Sequence, residues 1–426
     1  MHPWTLPAVA GLAAPYWSAA RLRRYQSARL RALVQHCWQS VPIYRRTLEQ
    51  AHVDPSRFRG LDDLTMLPIM TRLELQRADL EEVTARSLVP SKWVIHLTSG
   101  SSGAPLTIRR TAFEEWLVRA LRLQTRMRQG LRPWHRQFHL GTPRESNFGQ
   151  GRLWNRLGLL RKEVVASEAP AADVIRRLTA ARPDAISGYS SALAAIAAAL
   201  TDEDRRSVRP RQVSCGAETV PADMRRTIES GFNTRLFVGY GAHEFGEIAS
   251  DCGRAEGLHV CGGSVLVELL RDEQPVAEGE VGEVVVTSLH SYAMPFLRYR
   301  LADLARRGPD PCPCGAPFAT LSEVQGRTAD MFHLPDGRQL HPYLLLPALV
   351  DDSPWLRQYQ LVQERPDLIH VRVAGLAQAT VAQREQLELR LVELCGGGVH
   401  IEVEGVDEIR PDPNGKFKLY YRLFDH

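Results

Sequence analysis

Leu97-Thr98-Ser99-Gly100-Ser101-Ser102-Gly103-Ala104-Pro105 packs two glycines and four hydroxyl residues into nine positions and closes on a proline. The runs on either side, Trp93–Leu97 and Leu106–Ile108, are apolar and β-prone, so the stretch predicts a strand–loop–strand hairpin with a small polar tip. Glycine lets a backbone approach a phosphate closely, and the hydroxyl and N–H groups are ready donors. An ordinary Ser/Gly loop has the same composition, so the stretch alone leaves both readings open. A Walker-type loop would need a following helix and a Gly-Lys-Ser/Thr ending. No lysine follows Gly103.

The rest of the chain sets the context. It has 426 residues, 44% hydrophobic and 24% charged, the balance of a globular protein with room for one large and one small domain. A formal net charge of +4 with no lysine/arginine run argues against a nucleic-acid or membrane-surface patch. No apolar run approaches the roughly 20 residues of a membrane span. Seven cysteines, an odd number, and an N-terminus without a signal-peptide layout point to reduced thiols and a cytoplasmic location. Of 53 basic residues only Lys92, Lys162, Lys416 and Lys418 are lysines. A lysine kept in such a chain is either a leftover or a compact point charge that arginine cannot replace.

Periodicity predicts helices over 18–48, broken at Val41-Pro42, and from Thr111 to about Gln129, with Thr71 capping another. Strand and helix signals then alternate. Strands are expected at Gln137–Leu140, Ala185–Ser187, Arg211–Ser214 and Arg235–Val238, with helices at Ala171–Ala181, Ser191–Leu200 and Met224–Ser230. That order implies a largely parallel α/β sheet, with ligand-binding loops at 188, 216 and 240 beyond its strand ends. From Ser264 the pattern becomes antiparallel. A boundary near Gly326–Asp330 leaves a small C-terminal domain with strands at Leu368–Val373 and Val399–Val403 around a helix at Val381–Leu394.

Six short motifs follow one another in order. They are Thr98-Ser99-Gly100-Ser101-Ser102-Gly103, Gly216-Ala217-Glu218, Tyr240-Gly241-Ala242-His243-Glu244-Phe245-Gly246, Arg298-Tyr299-Arg300-Leu301-Ala302-Asp303-Leu304, Gly326-Arg327-Thr328-Ala329-Asp330-Met331, and Gly415-Lys416. This series resembles the adenylate-forming enzymes, the acyl- and aryl-CoA ligases and their AMP-binding relatives. The runs Met294–Arg300 and Pro311-Cys312-Pro313-Cys314-Gly315 resemble its phenylacetate–CoA ligase branch and the capsule-biosynthesis-associated relatives of that branch.

The resemblance implies an α/β fold: a large N-terminal AMP-binding domain of mixed sheets with helices (1–328), a small mobile α+β C-terminal domain (329–426), and an active site in the cleft between them. It implies ATP-dependent activation of a carboxylic acid, aryl or otherwise hydrophobic, to an acyl-adenylate with release of pyrophosphate. Transfer to an acceptor follows, with the CoA thiol first in line and a carrier-protein thiol or a small-molecule amine as alternatives. A non-catalytic relative that keeps the fold is the rival from another class. Thr98–Gly103 would hold the β- and γ-phosphates. Gly216, Ala217, Glu218, Tyr240 and Gly241 would line the adenine pocket, and Asp303 would accept from the ribose hydroxyls. Glu244 would ligate Mg²⁺, as a hard oxygen ligand does. Arg327 would sit at the hinge beside the nucleotide. Lys416 would stabilise charge at the α-phosphate, with Lys418 its neighbouring competitor. Gly188, Tyr189, Gly239 and His243 would line the acid pocket.

The chain departs from the family pattern at three places. His243 stands where Thr or Ser is usual, Leu301-Ala302 replaces Thr-Gly before Asp303, and Ala329 replaces an Asp at the hinge. Cys252, His259, Cys312 and Cys314 make a candidate Cys₃His structural Zn²⁺ site, similar to an arrangement in the branch, with Cys261 an alternative to His259. Cys37, Cys215 and Cys395 read as packed apolar residues. ATP, the acid and CoA or an acyl-carrier protein are the expected partners of a monomer or homodimer, with no nucleic acid and no membrane.

Overall fold

A computed structural model describes residues 5–88, 93–97, 106–141, 157–167, 169–254, 257–327, 331–340, 342–345, 348–349, 353, 355–356, 358–374, 379–410 and 417–424. The chain forms two compact units: Met1–Gly130 with Gly239–Val324, and Leu131–Val238 with Gln325–His426. No helix among the described residues is long and apolar enough to cross a membrane.

The first unit opens on helices. Ala19–Ser40 buries Leu22, Leu30, Leu33, Val34 and Cys37 at helical spacing, and its N-cap Ser18 accepts from the Arg21 N–H. The break expected at Val41-Pro42 is there: Val41 is extended, as a residue before proline should be, and Pro42 starts the helix Pro42–Gln50. Thr71 and Thr111 each close a capping box, with Glu74 and Glu114, ahead of the helices Arg72–Arg77 and Ala112–Arg128. Strands Val94–Leu97 and Thr107–Arg110 pair antiparallel, so the predicted hairpin is present. Its tip, Thr98–Gly103, lies outside the described residues.

The rest of this unit is antiparallel sheet. Val265–Arg271 pairs with Val281–Ser288, which pairs with Tyr299–Arg307. Gly246–Asp251 pairs with Leu258–Val260 and with the end of strand Leu236–Ala242. Buried Arg298 locks residues 65–72 against this sheet. It forks onto the Glu268 carboxylate at 3.0 and 2.9 Å and donates to the Leu67 carbonyl at 2.6 Å. The backbones of Met70 and its neighbours Arg298 and Arg300 exchange two hydrogen bonds alongside it.

The second unit holds the parallel strands Gln137–Gly141, Lys162–Ala166, Ala185–Gly188 and Gln212–Gly216. Helices Ala171–Ala181, Ser190–Ala199 and Ala222–Phe232 supply Leu178, Leu193, Ile228 and Phe232 to a core with Phe138, Ile186 and Val213. The C-terminal segment has its own core. Strands Gln358–Arg365 and Leu368–Ala374 form an antiparallel centre, flanked in parallel by Tyr420–Arg422 and His400–Val406. The helix Val381–Cys395 covers this sheet with Leu387, Leu391 and Cys395. None of the seven cysteines is in a disulfide.

Gly188 pairs in register with Leu140. A Cβ there would stand 2.7 Å from the Leu140 carbonyl oxygen and 2.8 Å from its Cβ. Gly188→Ala is therefore expected to cost about 1–3 kcal/mol of stability by overpacking, read as a lower urea midpoint at unchanged slope. A change below about 0.5 kcal/mol, the scatter of neutral substitutions, would show that the two strands can slide apart.

Candidate active site

The motif Tyr240–Gly246 is a hairpin. Gly239-Tyr240-Gly241, expected in a loop, instead continues the strand Leu236–Ala242 and pairs with Gly246–Asp251, with a register shift between Tyr240 and Gly241. The reason is a close approach. A Cβ on Gly241 would run into the Gly246 carbonyl oxygen, so glycine here serves strand pairing and not a turn. His243, Glu244 and Phe245 form the tip, closed by a bond from the Phe245 N–H to the Ala242 carbonyl at 3.1 Å. Phe245 seats the tip on Phe296 and Tyr299, with ring centroids 5.3 and 6.1 Å away.

One carboxylate faces this hairpin and a second stands at its tip. The Tyr240 hydroxyl donates to Asp303 Oδ2 at 2.6 Å. Asp303 lies on strand Tyr299–Arg307 immediately after Ala302, whose φ of 62° is left-handed. That accounts for the glycine usual at this position in the family pattern: it adopts such a φ without strain. Glu244 is buried, 4% exposed. Its Oε1 accepts from the Tyr299 hydroxyl at 3.4 Å and lies 3.8 Å from the Arg72 guanidinium. Arg72 and Tyr299 have no signal of their own in the sequence beyond Thr71 capping a helix and Tyr299 lying within a motif.

A second buried carboxylate ties the glycine-rich hairpin to the tip. Glu115 takes His96 Nε2 at 2.9 Å and the Arg110 guanidinium at 3.1 Å on Oε2, and Arg119 Nε at 3.0 Å on Oε1. Burial pushes its carboxyl up, but the hydrogen bond from His96 and the charge of Arg110 prevail and hold it at about 2. Arg110 also donates to the backbone carbonyl of His243. Strands Val94–Leu97 and Thr107–Arg110 thereby share one fastening with the residue before Glu244.

In the second unit, Gly216 ends strand Gln212–Gly216 and Ala217 turns the chain at φ 71°. Glu218 then accepts from the Ser190 hydroxyl at 2.8 Å and the Ser191 N–H at 2.9 Å, at the start of helix Ser190–Ala199. Tyr189, 9% exposed, precedes that helix, and Gly188 ends the strand before it. Arg327 closes strand Thr320–Arg327. Lys416 lies outside the described residues.

Cys252, His259, Cys312 and Cys314 converge, each offering a ligand atom within 4.8 Å of the others. Cys252 Sγ is 3.9 Å from Cys312 Sγ, and Cys314 Sγ is 3.7 Å from His259 Nε2. A tetrahedron with metal–sulfur bonds of about 2.3 Å has sulfur–sulfur edges of about 3.8 Å, so the residues fit a four-coordinate ion. Backbone N–H groups of Arg254, Cys314 and Ala316 point at the three sulfurs at 3.4–3.5 Å, the outer contacts a thiolate site uses. Cys261 stands outside this cluster, hydrogen-bonded to Ser250 and Thr125 beside half-buried Glu247.

Comparison with known proteins fits this geometry. The chain is 30% identical over 370 residues to a phenylacetate–coenzyme A ligase of Thermus thermophilus, covering 81% of this chain and 79% of that protein. It is 26% identical over 380 residues to the enzyme of the same name from Escherichia coli, covering 82% and 80%. No protein-family model matches. Among solved structures, a 2-hydroxyisobutyryl-CoA ligase in the postadenylation state superposes with a TM-score of 0.79 at 20% identity, covering 97% of this chain and 91% of that one. An anthranilate CoA ligase bound to anthranoyl-AMP gives 0.56 at 17% identity, covering 76% and 66%. At those identities the superpositions establish the fold.

The left-handed Ala302 yields a direct test. An L-residue in that region costs about 1–2 kcal/mol, against an entropic cost of about 0.5–1 kcal/mol for glycine. Ala302→Gly is expected to raise stability by up to about 1 kcal/mol, measured by urea unfolding. A loss of stability would mean that the Ala302 side chain contributes packing that outweighs the strain.

Proposed function

We propose that this chain, which belongs to the phenylacetate–coenzyme A ligase family, activates an aryl or other hydrophobic carboxylic acid with ATP and passes the acyl group to the thiol of coenzyme A. It is an AMP-forming carboxylate ligase. A carboxylate oxygen attacks the α-phosphorus of ATP, the bond to the β-phosphate bridging oxygen breaks, and pyrophosphate leaves. The thiolate then attacks the acyl carbonyl, and AMP leaves with the bonding electrons. Such chemistry asks the protein for positioning and charge neutralisation more than for covalent help.

The observation that carries the reading is the hairpin 236–251, which sets Tyr240 on Asp303 and buries Glu244 at its tip. Tyr240 lies against the adenine with Gly216, Ala217 and Gly241, and Asp303 accepts from the ribose hydroxyls. Thr98–Gly103 cradles the leaving pyrophosphate. Glu244 is a buried hard oxygen ligand and suits Mg²⁺, whose chemistry is to neutralise phosphate charge. Arg327 assists at the nucleotide, and Lys416 places a compact charge at the α-phosphate. Gly188, Tyr189, Gly239 and His243 line the acid pocket. Residues 329–426 act as a mobile C-terminal domain on a 1–328 AMP-binding domain. The protein is cytoplasmic, as cysteines without disulfides suit, and it works as a monomer or homodimer. Ala329, where the family pattern has an acid, is the feature that favours a carrier-protein thiol or an amine as the second choice of acceptor.

Acid-dependent ATP–pyrophosphate exchange over a panel of aryl and aliphatic acids tests the reaction, and adding CoA tests the acceptor. Lys416→Ala is expected to lower exchange at least 100-fold while ATP binding, followed by titration calorimetry, changes less than threefold. No exchange by the wild-type enzyme with any acid would leave the non-catalytic relative as the answer. Near-normal exchange by Lys416→Ala would shift the role to Lys418.

The four-residue cluster is proposed to hold structural Zn²⁺. Elemental analysis of protein purified without chelator is expected to find about one zinc per chain. Cys312→Ser is expected to remove it and to cost several kcal/mol of stability, because a structural site supplies folding free energy. Less than about 0.2 zinc per chain would rule out the assignment.

A further inference from the structure

Glu218 has more partners than a residue lining a nucleotide pocket needs. Its Oε2 accepts from the Ser190 hydroxyl at 2.8 Å and the Ser191 N–H at 2.9 Å. Its Oε1 accepts from the Ser191 hydroxyl at 2.9 Å. The same Oε1 takes the backbone N–H of Phe417 at 2.7 Å, from a residue 199 positions away. Tyr189, the N-cap residue of helix Ser190–Ala199, makes no side-chain cap bond. The Glu218 carboxylate supplies that cap from outside the helix, where a negative charge is favoured. Left-handed Ala217 turns the chain at the end of strand Gln212–Gly216, just ahead of Glu218.

Phe417 is the residue after Lys416. It packs against the C-terminal core that contains Leu419 and Tyr420. Tyr420 begins strand Tyr420–Arg422 and anchors it by donating its hydroxyl to the Gln325 carbonyl at 2.6 Å. The segment leading from Phe417 into the last strand is thus held on one side by its own core and on the other by Glu218. A charge-assisted bond to a backbone N–H fixes the position of the main chain and makes no demand on side-chain identity.

We propose that Glu218 is a latch for the Lys416 segment, a positioning residue that holds the backbone beside this lysine for the acid-activation step. The proposal rests on the ligase reading above. Lys416 serves attack at the α-phosphate, and the thioester-forming step involves no such attack. Loss of the latch therefore strikes the first step and largely spares the second. Losing the latch is also equivalent to losing what it positions, so its effect disappears once Lys416 is gone.

The test uses the full chain with Glu218→Ala and the milder Glu218→Gln. ATP–pyrophosphate exchange is expected to fall 10- to 100-fold in kcat with KM for ATP changed less than threefold. Thioester formation from supplied acyl-adenylate and CoA is expected to fall less than threefold. In a Lys416→Ala background, adding Glu218→Ala is expected to lower residual exchange less than twofold, the non-additivity of residues acting as a unit. A readout independent of activity comes from the scarcity of lysines. A lysine-specific protease has four sites in this chain, at Lys92, Lys162, Lys416 and Lys418. Glu218→Ala is expected to speed cleavage after Lys416 and Lys418 at least fivefold while leaving Lys162, on a sheet strand, unchanged.

Equal acceleration at Lys162, or none at Lys416, overturns the latch. So does a rise in KM for ATP at constant kcat, which would make Glu218 a nucleotide-lining residue alone, and so do fully additive losses with Lys416→Ala. Failure of the wild-type enzyme in both half-reactions would instead overturn the ligase reading, and the protease pattern would still decide the latch.

Discussion

A carboxylate taken out of water must be given hydrogen-bond donors and counter-charge, and Glu115 obtains them from three pieces of chain at once. His96 comes from one strand of the glycine-rich hairpin, Arg110 from the other, and Arg119 from the next turn of its own helix. Losing every partner would leave the buried charge uncompensated, a situation that costs about 3–5 kcal/mol where a buried pair is broken, and three partners spread that dependence over the two strands and the helix. Arg110 extends it to the His243 carbonyl. The base of the proposed phosphate loop and the turn bearing Glu244 are therefore held in one electrostatic fastening. Rigid support of this kind is what a site needs when its work is to hold charge in place and not to form bonds.

The same logic recurs at lower stakes. Arg298 forks onto Glu268 and the Leu67 carbonyl, which fixes residues 65–72 and brings Arg72 to Glu244. Tyr299 is shared between the aromatic seat of Phe245 and the Glu244 carboxylate. Each catalytic candidate in the first unit thus has a supporting residue that packs, donates or neutralises, supplied by a neighbouring strand or helix.

Much of this was legible in the sequence wherever the governing interaction is local. Thr111 and Glu114 announce a helix start at three-residue spacing, and the alternating strands and helices from Gln137 to Val238 follow from periodicity. The ordered motifs identify the family because six short runs in order are hard to meet by chance. What stayed hidden depends on distant partners. Gly239 and Gly241 look like loop residues, since glycine usually marks a turn. Both instead pair with the hairpin's second arm, and at Gly241 the Gly246 carbonyl leaves no room for a side chain. Glu115, Arg110 and Arg72 are common surface residue types, and the burial of the first two and the approach of the third to Glu244 come only from tertiary packing. Phe417 would never be singled out, because it contributes a backbone N–H that every residue except proline has.

The Cys252, His259, Cys312 and Cys314 cluster has a consequence for where such a fold can persist. It brings together residues 60 apart in sequence, Cys252 and Cys312, in a chain with none of its cysteines in a disulfide. A disulfide closing a loop of that size would restrict the unfolded chain by roughly 4 kcal/mol, yet it would be lost in a reducing compartment. A metal ion held by these four residues, as proposed above, would give a comparable constraint from reduced thiols. Such a clasp would be removed by chelation or thiol oxidation, so the durability of the antiparallel unit would then follow metal supply instead of redox poise.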